Sequence, residues 1–557
     1  MKMDLKKYSF RMLIVGWALM NLCLSACDSE NGIGEDPYGG GKVPLGIQLI
    51  KESPMPDSGY PRDEVVFKAK GLATHIHGDG IYDFEFYLSD EKAEILSATD
   101  TTIVIRVPDN VCSGQTYLIM EGQVFYGPTF TVLGNIDIDT DYKLYDAVYA
   151  PGGPIYDYLE YINDGNRYYY VVGDFSSLGN NTKCYNVAMV DSRGNRMTHS
   201  SVTPFNISSG TLGYYYEDNS WTTMTSDAIN CIQEFSDGRK LIAGRFMGFN
   251  GRTNMRNITV LNADLSVPTT SYTLPTATGS TKNVSMPTFN GNIFEEVVRA
   301  FVTRDQKVLA VGNFNQYYKY NYESSTYNYY EEEYEDIADV VLLDAATGDL
   351  DATFRTGKTG TEGIIYDACM DENYNLIIAG QFSEFDGVSV ANIVRLNSSG
   401  EVDSFFPAYT NGNITRINYN KKYHKFVIVG TFTEVNGVAR DGVAMLNEDG
   451  SLDETFAPRD FGNGKPNYAI LLNYGKVLIA GTFGKYNGVS RLGSVFLELD
   501  GEALQANNVP GAFNGQLYQA IETTTTTGAN GLLLLGDFTR FNNVPVYNAV
   551  MLSVDFQ

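Results

Sequence analysis

The sequence predicts an all-β protein, a small β-sandwich followed by a seven-bladed β-propeller. Three observations carry this. First, the tripeptide Gly-x-Phe recurs seven times, always after an apolar run. Its copies are Gly173-Asp174-Phe175, Gly244-Arg245-Phe246, Gly312-Asn313-Phe314, Gly380-Gln381-Phe382, Gly430-Thr431-Phe432, Gly481-Thr482-Phe483 and Gly536-Asp537-Phe538, spaced by 71, 68, 68, 50, 51 and 55 residues. Self-similarity at such a period marks a repeat architecture. Second, short apolar runs upstream of the repeats alternate with a period of two, the signature of half-buried strands. Third, the chain holds 55 Gly and 39 Tyr but 2 Trp, a composition of strand formers and turns. At 557 residues the chain is too long for one ordinary core.

Residues 1–26 read as an address. Lys2, Lys6, Lys7 and Arg11 form a basic start, and Met12 to Leu22 is an apolar run of signal-peptide length, short for a bilayer span. Leu24-Ser25-Ala26-Cys27 follows and resembles the lipobox of bacterial lipoproteins. The resemblance implies cleavage before Cys27, lipidation of Cys27, and a flexible tether over residues 27–43. Asp28-Ser29-Glu30 resembles the surface-export signal of outer-membrane lipoproteins, so the expected location is the outer membrane, lipid-anchored and facing the cell exterior, with a periplasmic orientation as the alternative.

Charge excludes some functions. The formal net charge is −27, with 40 Lys+Arg against 67 Asp+Glu. Loss of the leader removes four basic residues and one acidic residue, leaving about −30. A chain this acidic lacks the basic footprint that nucleic acid requires. With 43% hydrophobic residues it is not a disordered acidic tail. Cys112, Cys184, Cys231 and Cys369 are widely spaced and form no zinc or disulfide pattern, reading as small buried hydrophobes.

Residues 44–134 are expected to form the sandwich. Val65-Val66-Phe67, Phe84-Glu85-Phe86-Tyr87, Ile103 to Val107 and Phe130-Thr131-Val132 are its short runs. The order resembles an IPT/TIG domain, an immunoglobulin-like fold. Matching pieces are Pro56-x-x-Gly59, Val65 to Gly71, Thr101 to Pro108 and Gly127 to Val132. Such domains serve as spacers in surface lipoproteins. His75 and His77 stand at i, i+2, a chelating spacing, but read as exposed loop residues.

Residues 135–557 hold the repeats. In the unit from Phe426, an apolar strand reaches Gly430-Thr431-Phe432, Asn436-Gly437 makes a tight turn, and Val443 to Leu446 returns. The glycine is expected to admit a neighbouring backbone and the Phe to fill space between sheets. Four strands per unit, repeated radially, make a propeller. The motif set resembles the delta-60-repeat propeller family over about residues 141 to 557, most loosely in the third unit. A strand near Asp137 to Tyr145 is expected to complete the last blade and close the ring.

Three places rise above scaffold. A Gly-x-Ile/Leu-aromatic-x motif at Gly153 to Asp157, Gly291 to Glu295, Gly363 to Asp367 and Gly515 to Gln519, with looser copies in the other units, gives the inner strands a shared register that assigns one residue per blade to a channel ring, Asp157, Asp227, Glu295, Asp367, Arg416, Tyr468 and Gln519. Four acids beside one Arg could bind a cation, a sugar or a basic group, and paired carboxylates could hydrolyse a glycosidic bond. An insertion in the third unit crowds Tyr317, Tyr318, Tyr320, Tyr322, Tyr329 and Tyr330 with glutamates. Tyr supplies rigid amphipathic contact area and stacks on sugar rings. A second insertion holds Tyr214, Tyr215, Tyr216 and Trp221, a stacking platform or a plug. No Gly-x-Ser-x-Gly, HExxH or P-loop occurs. Asp137, Asp139 and Asp141 lack the Gly and final Glu of an EF-hand. No catalytic residue, metal or cofactor is expected.

The arrangement resembles surface glycan-binding lipoproteins. The expectation is non-catalytic polysaccharide binding by aromatic loops on one propeller face. The rivals are a protein-interaction or adhesion module contacting an envelope protein, and a glycan-degrading propeller enzyme.

Overall fold

Alternating burial sets the first region. In Glu64–Lys70, Val65, Phe67 and Ala69 point inward and the residues between them outward, and Ile103 and Ile105 do the same in Thr102–Arg106. The computed structural model describes residues 45–146, 150–179, 184–197 and 227–556, with the backbone alone of 211–212, 215–218 and 221–224. Cys27, the leader and the tether lie outside the described residues. The chain divides into two units, Met1–Gln48 and Leu49–Gln557. Both the strands of this region and the propeller belong to the second.

Seven strands run in the order Glu64–Lys70, Thr102–Arg106, Glu91–Ala98, Phe84–Leu88, Gly114–Met120, Gln123–Val132, Ser58–Gly59. Glu91–Ala98 pairs with strands on both sides of it and carries a bulge between Ile95 and Ser97. The sheet folds over one core, in which the Phe67 ring lies 4.8 Å from Phe86 and 6.1 Å from Phe130. Each buried phenylalanine contributes about 2–3 kcal/mol. This region abuts the end of the chain, where the Ser113 N–H donates to the Val509 carbonyl (2.8 Å) and the Asn543 amide to the Ser113 carbonyl (3.1 Å).

The rest of the chain folds as a β-propeller. Seven antiparallel sheets of one plan follow in order, with inner strands Ile155–Asn163, Ala228–Glu234, Val297–Val302, Ile364–Met370, Ile414–Asn420, Pro466–Leu471 and Asn514–Thr524. Each inner strand packs on the next, and the seventh meets the first. Most sheets have three full strands. The expected fourth is reduced to a single bridge, such as Leu446 to Leu452 or Leu497 to Ala503. The last sheet does gain a regular fourth strand, Ile136–Ile138, which pairs antiparallel with Ala549–Val554. It begins one residue before the expected Asp137 and ends ahead of the 3-10 turn Lys143–Tyr145. The Asp139 carboxylate accepts from the Thr526 N–H at 2.7 Å and fastens this joint.

The Gly-x-Phe repeat has a geometric cause. A Cβ on Gly380 would strike the Ile364 carbonyl, and one on Gly430 the Asn413 carbonyl. The missing side chain lets the second strand press against a bulge in the first, present in all seven sheets. The seven phenylalanines are all buried.

An unanticipated asparagine clip joins neighbouring sheets. Asn186, Asn257, Asn392 and Asn548 sit at positive φ just before the third strand. Each accepts from the N–H of its own Gly-x-Phe phenylalanine, at 2.9–3.3 Å. Each donates to a carbonyl of the following blade, Asp227, Glu295, Thr410 and Gly153 respectively. Asp339 takes the same place in the third sheet but accepts from the Thr361 N–H, since a carboxylate has no proton to give.

Candidate functional site

The bulge fixes which side chains reach the channel. The residue just past it is Asp157, Cys231, Arg299, Asp367, Arg416, Tyr468 and Gln519 in successive sheets. Asp157, Asp367, Arg416, Tyr468 and Gln519 match the sequence register. Asp227 and Glu295 do not, each lying four residues short of the true position. Gly291 to Glu295 mimics the motif, but Asn292–Ile293 pairs with Tyr317 and Tyr318 of the insertion, outside the inner strand. Asp227 precedes its strand, and its carbonyl receives the Asn186 clip. The ring therefore holds two acids and two arginines, not four acids and one arginine.

These groups bind one another. Arg299 Nε donates to Asp367 Oδ1 at 2.8 Å, and its Nη1 to the Asn230 carbonyl at 3.2 Å. Asp367 Oδ2 accepts from the Ile417 N–H at 3.1 Å, with Arg416 Nη1 at 3.9 Å. Asp157 accepts from the Ile232 N–H at 3.1 Å and from Gln519 Nε2 at 3.1 Å. The Ala300 N–H reaches Cys231 Sγ at 3.2 Å. Burial pushes Asp157 up to about 6 although Arg299 pulls the other way. Burial would lower the Arg299 guanidinium, but Asp367 and Asp157 outweigh it and raise it. Burial drives the Cys231 thiol up to about 12 and raises Cys369, which favours the thiol over the thiolate at both.

A cavity of about 400 Å³ lies on the Gly-x-Phe side of this layer. Its aromatic walls are the bulge residues themselves, Tyr156, Tyr366 and Tyr518. Tyr156 and Tyr518 meet edge to face at 4.9 Å, and Arg416 stacks on Tyr518 at 4.5 Å. Arg245 and Glu296, 3.5 Å apart, add a cation and an anion. A second cavity of about 420 Å³ lies beyond the layer, lined by Asp157, Cys231, Cys369, Tyr419 and Gln519 among others. Tyr156, Tyr366 and Tyr518 fill the aromatic position of the sequence motif, one residue before the ring positions Asp157, Asp367 and Gln519.

The tyrosine-rich insertion is a hairpin, Gln316–Thr326 and Tyr329–Asp336, packed on a second hairpin, Thr269–Pro275 and Thr281–Pro287. Tyr317, Tyr318 and Tyr322 are buried, which removes them as ligand contacts. The Tyr317 hydroxyl donates to the Gly348 carbonyl at 2.9 Å. Tyr322 joins Leu274 and Met286 in a small core, with Tyr320 and Tyr330 half-buried against it. Tyr329 remains exposed, at 65%. Tyr214 lies outside the described residues. Tyr215, Tyr216 and Trp221 fall on a short hairpin, Tyr215–Asp218 with Trp221–Met224.

His77 Nε2 and His75 Nδ1 lie 2.9 and 3.6 Å from Asp83 Oδ2, whose pKa is lowered chiefly by the His77 hydrogen bond. Among the described residues no cluster of His, Cys, Asp or Glu is arranged to hold a metal ion. No helix among them is long and apolar enough to cross a membrane.

These features define a β-propeller with a polar, tyrosine-walled central cavity. Three family models match the chain. They are a domain of unknown function (DUF5008) at residues 19–128, another (DUF5124) at 132–219, and a domain of unknown function described as a beta-propeller (DUF5122) at 375–406 and 425–456. The last falls on the fourth and fifth sheets. No curated protein matches. Among solved structures, the WD40 propeller domain of Doa1 is similar at 10% identity and TM-score 0.35, covering 75% of this chain and 96% of its own. An auxiliary nutrient binding protein from Bacteroides ovatus is similar at 10% identity and TM-score 0.29, covering 91% and 98%. One of the same description from Bacteroides thetaiotaomicron is similar at 12% identity and TM-score 0.29, covering 91% and 97%.

Proposed function

We propose that this chain is a lipid-anchored outer-membrane protein facing the cell exterior, whose propeller binds carbohydrate without catalysis. The region before the propeller acts as an immunoglobulin-like spacer, and the propeller belongs to the delta-60-repeat type. The carrying observation is the cavity walled by Tyr156, Tyr366 and Tyr518 beside Arg245 and Glu296. Tyrosine faces pack on sugar C–H groups, and a mixed pair of charges meets hydroxyls as donor and acceptor. A non-catalytic role is supported by the two ring carboxylates. Asp157 and Asp367 are each committed to neighbouring donors, which leaves neither free for acid–base work on a glycosidic bond.

The test is retention of the purified protein on a glycan array and on affinity gels. Retention that disappears in Tyr518→Ala supports the reading, and retention lost instead in Trp221→Ala moves the site to the hairpin there. No retention on any glycan, with capture of an envelope protein, supports the protein-interaction alternative, for which exposed Tyr329 and Phe405 are available. Release of oligosaccharide would make the protein an enzyme.

A further inference from the structure

We infer that the tyrosine-walled cavity is a blind pit that takes the end of a glycan chain, one or two terminal sugar units, and not a stretch of chain interior. This rests on the carbohydrate reading above. A polymer bound mid-chain needs a way in and a way out. A propeller channel open at both mouths would provide these, but here the side chains at the waist shelter one another, and Arg299, Asp367 and Arg416 keep only 17%, 3% and 15% of their surface exposed. Arg299 crosses from the third sheet to the Asn230 carbonyl of the second and to Asp367 of the fourth. Asp367 is tied to the fifth sheet at the Ile417 N–H, and Asp157 ties the seventh sheet to the second through Gln519 and the Ile232 N–H. The cavities on either side share Arg299 alone among their lining residues. The pit therefore has a floor.

Its size agrees. About 400 Å³ lies near the small end of the ~300–1,000 Å³ that ligand pockets span, room for one or two sugar rings. Its walls agree as well. Tyr156 and Tyr518 stand on adjacent blades and Tyr366 three blades away. Aromatic groups on opposing walls grip a ring from both sides, whereas a chain interior is better served by a flat row of rings. Arg245 and Glu296 carry charge of both signs at the rim, suited to the extra free hydroxyl that a terminal sugar has and an internal one lacks.

The experiment titrates the purified full-length protein with linear gluco-, manno- and galacto-oligosaccharides of one to six units, and with a cyclic gluco-oligosaccharide, which has no end. The expected result is affinity that rises up to two units and then changes less than two-fold through six, with binding to the cyclic sugar at least ten-fold weaker than to the linear one. Tyr366→Ala and Tyr518→Ala should each weaken binding at least ten-fold at unchanged melting temperature. Affinity that climbs ten-fold or more between two and six units, or equal binding of the cyclic sugar, overturns the end-on inference and leaves carbohydrate binding standing. Full binding by both tyrosine variants overturns it too. Absence of binding to these sugars and to every glycan on an array overturns the carbohydrate reading and this inference together.

Discussion

Arg299 Nε and Asp367 Oδ1, on inner strands of adjacent blades, lie 2.8 Å apart, with side-chain exposures of 17% and 3%. A charge pair this sheltered is held by its geometry. Removing one member leaves the other charged in a poor solvent, at a cost of about 3–5 kcal/mol. Arg299→Met should lower stability by about that amount, read as a shift in the urea midpoint. Arg299→Met paired with Asp367→Leu should recover much of the loss. A single variant as stable as the wild type would show that the pair does not bind the blades.

Asp157 predicts a pH dependence. Its folded pKa, about 6, lies above its ordinary value of 3.8. Between about 4 and about 6 the folded chain keeps a proton that the unfolded chain has released, so stability falls as pH rises through that window. Asp339, also raised to about 6 by burial, adds to the slope. Urea midpoints measured from pH 4 to 7 should fall less steeply in Asp157→Asn, and an identical slope would refute the assignment.

The asparagine clip separates two contributions. Asn548 needs positive φ, and its side chain bonds to Phe538, Gly153 and Pro151. Asn548→Ala loses these bonds and strains the backbone, for about 2–4 kcal/mol, while Asn548→Gly loses only the bonds, for about 1–3 kcal/mol. The fifth and sixth sheets carry Gly442 and Gly493 at positive φ in the corresponding place. Equal losses in the two variants would mean that φ is not what selects asparagine there.

The tyrosine hairpin is expected to be structural. Tyr322→Ala empties the small core with Leu274 and Met286, costing about 3–5 kcal/mol. Tyr329→Ala removes an exposed ring and should stay within about 0.5 kcal/mol of the wild type. Thermal denaturation of both decides it. An unstable Tyr329→Ala would show that the hairpin is packed differently.

The repeat was legible because its cause is local. Gly430 and Phe432 must recur wherever a strand presses on a bulged neighbour and a ring fills the gap. The ring was legible in five blades where the motif and the inner strand coincide. It slipped by four residues at Glu295 because the Gly-x-Ile-aromatic pattern also suits the short strand Asn292–Ile293. Nothing local distinguishes an edge strand from an inner one. Tyr317 and Tyr329 belong to one run, yet one is buried and the other exposed, since hairpin packing against a distant segment decides between them. The clip left a trace, an Asn 12 or 13 residues after the repeated glycine at Asn186, Asn257, Asn392 and Asn548, visible only once a structure says what to count.

The pairing of Ile136–Ile138 with Ala549–Val554 also sets an order of events. The ribosome makes these partners more than four hundred residues apart. At about 5–20 residues per second, the earlier strand waits some tens of seconds for the later one. Until then Ile136 is unpaired and the first and seventh blades have no shared seam. The toroid can shut only once Ala549–Val554 has been made, so a chain that stops before Ala549 keeps an unlatched edge open to other chains and to proteases.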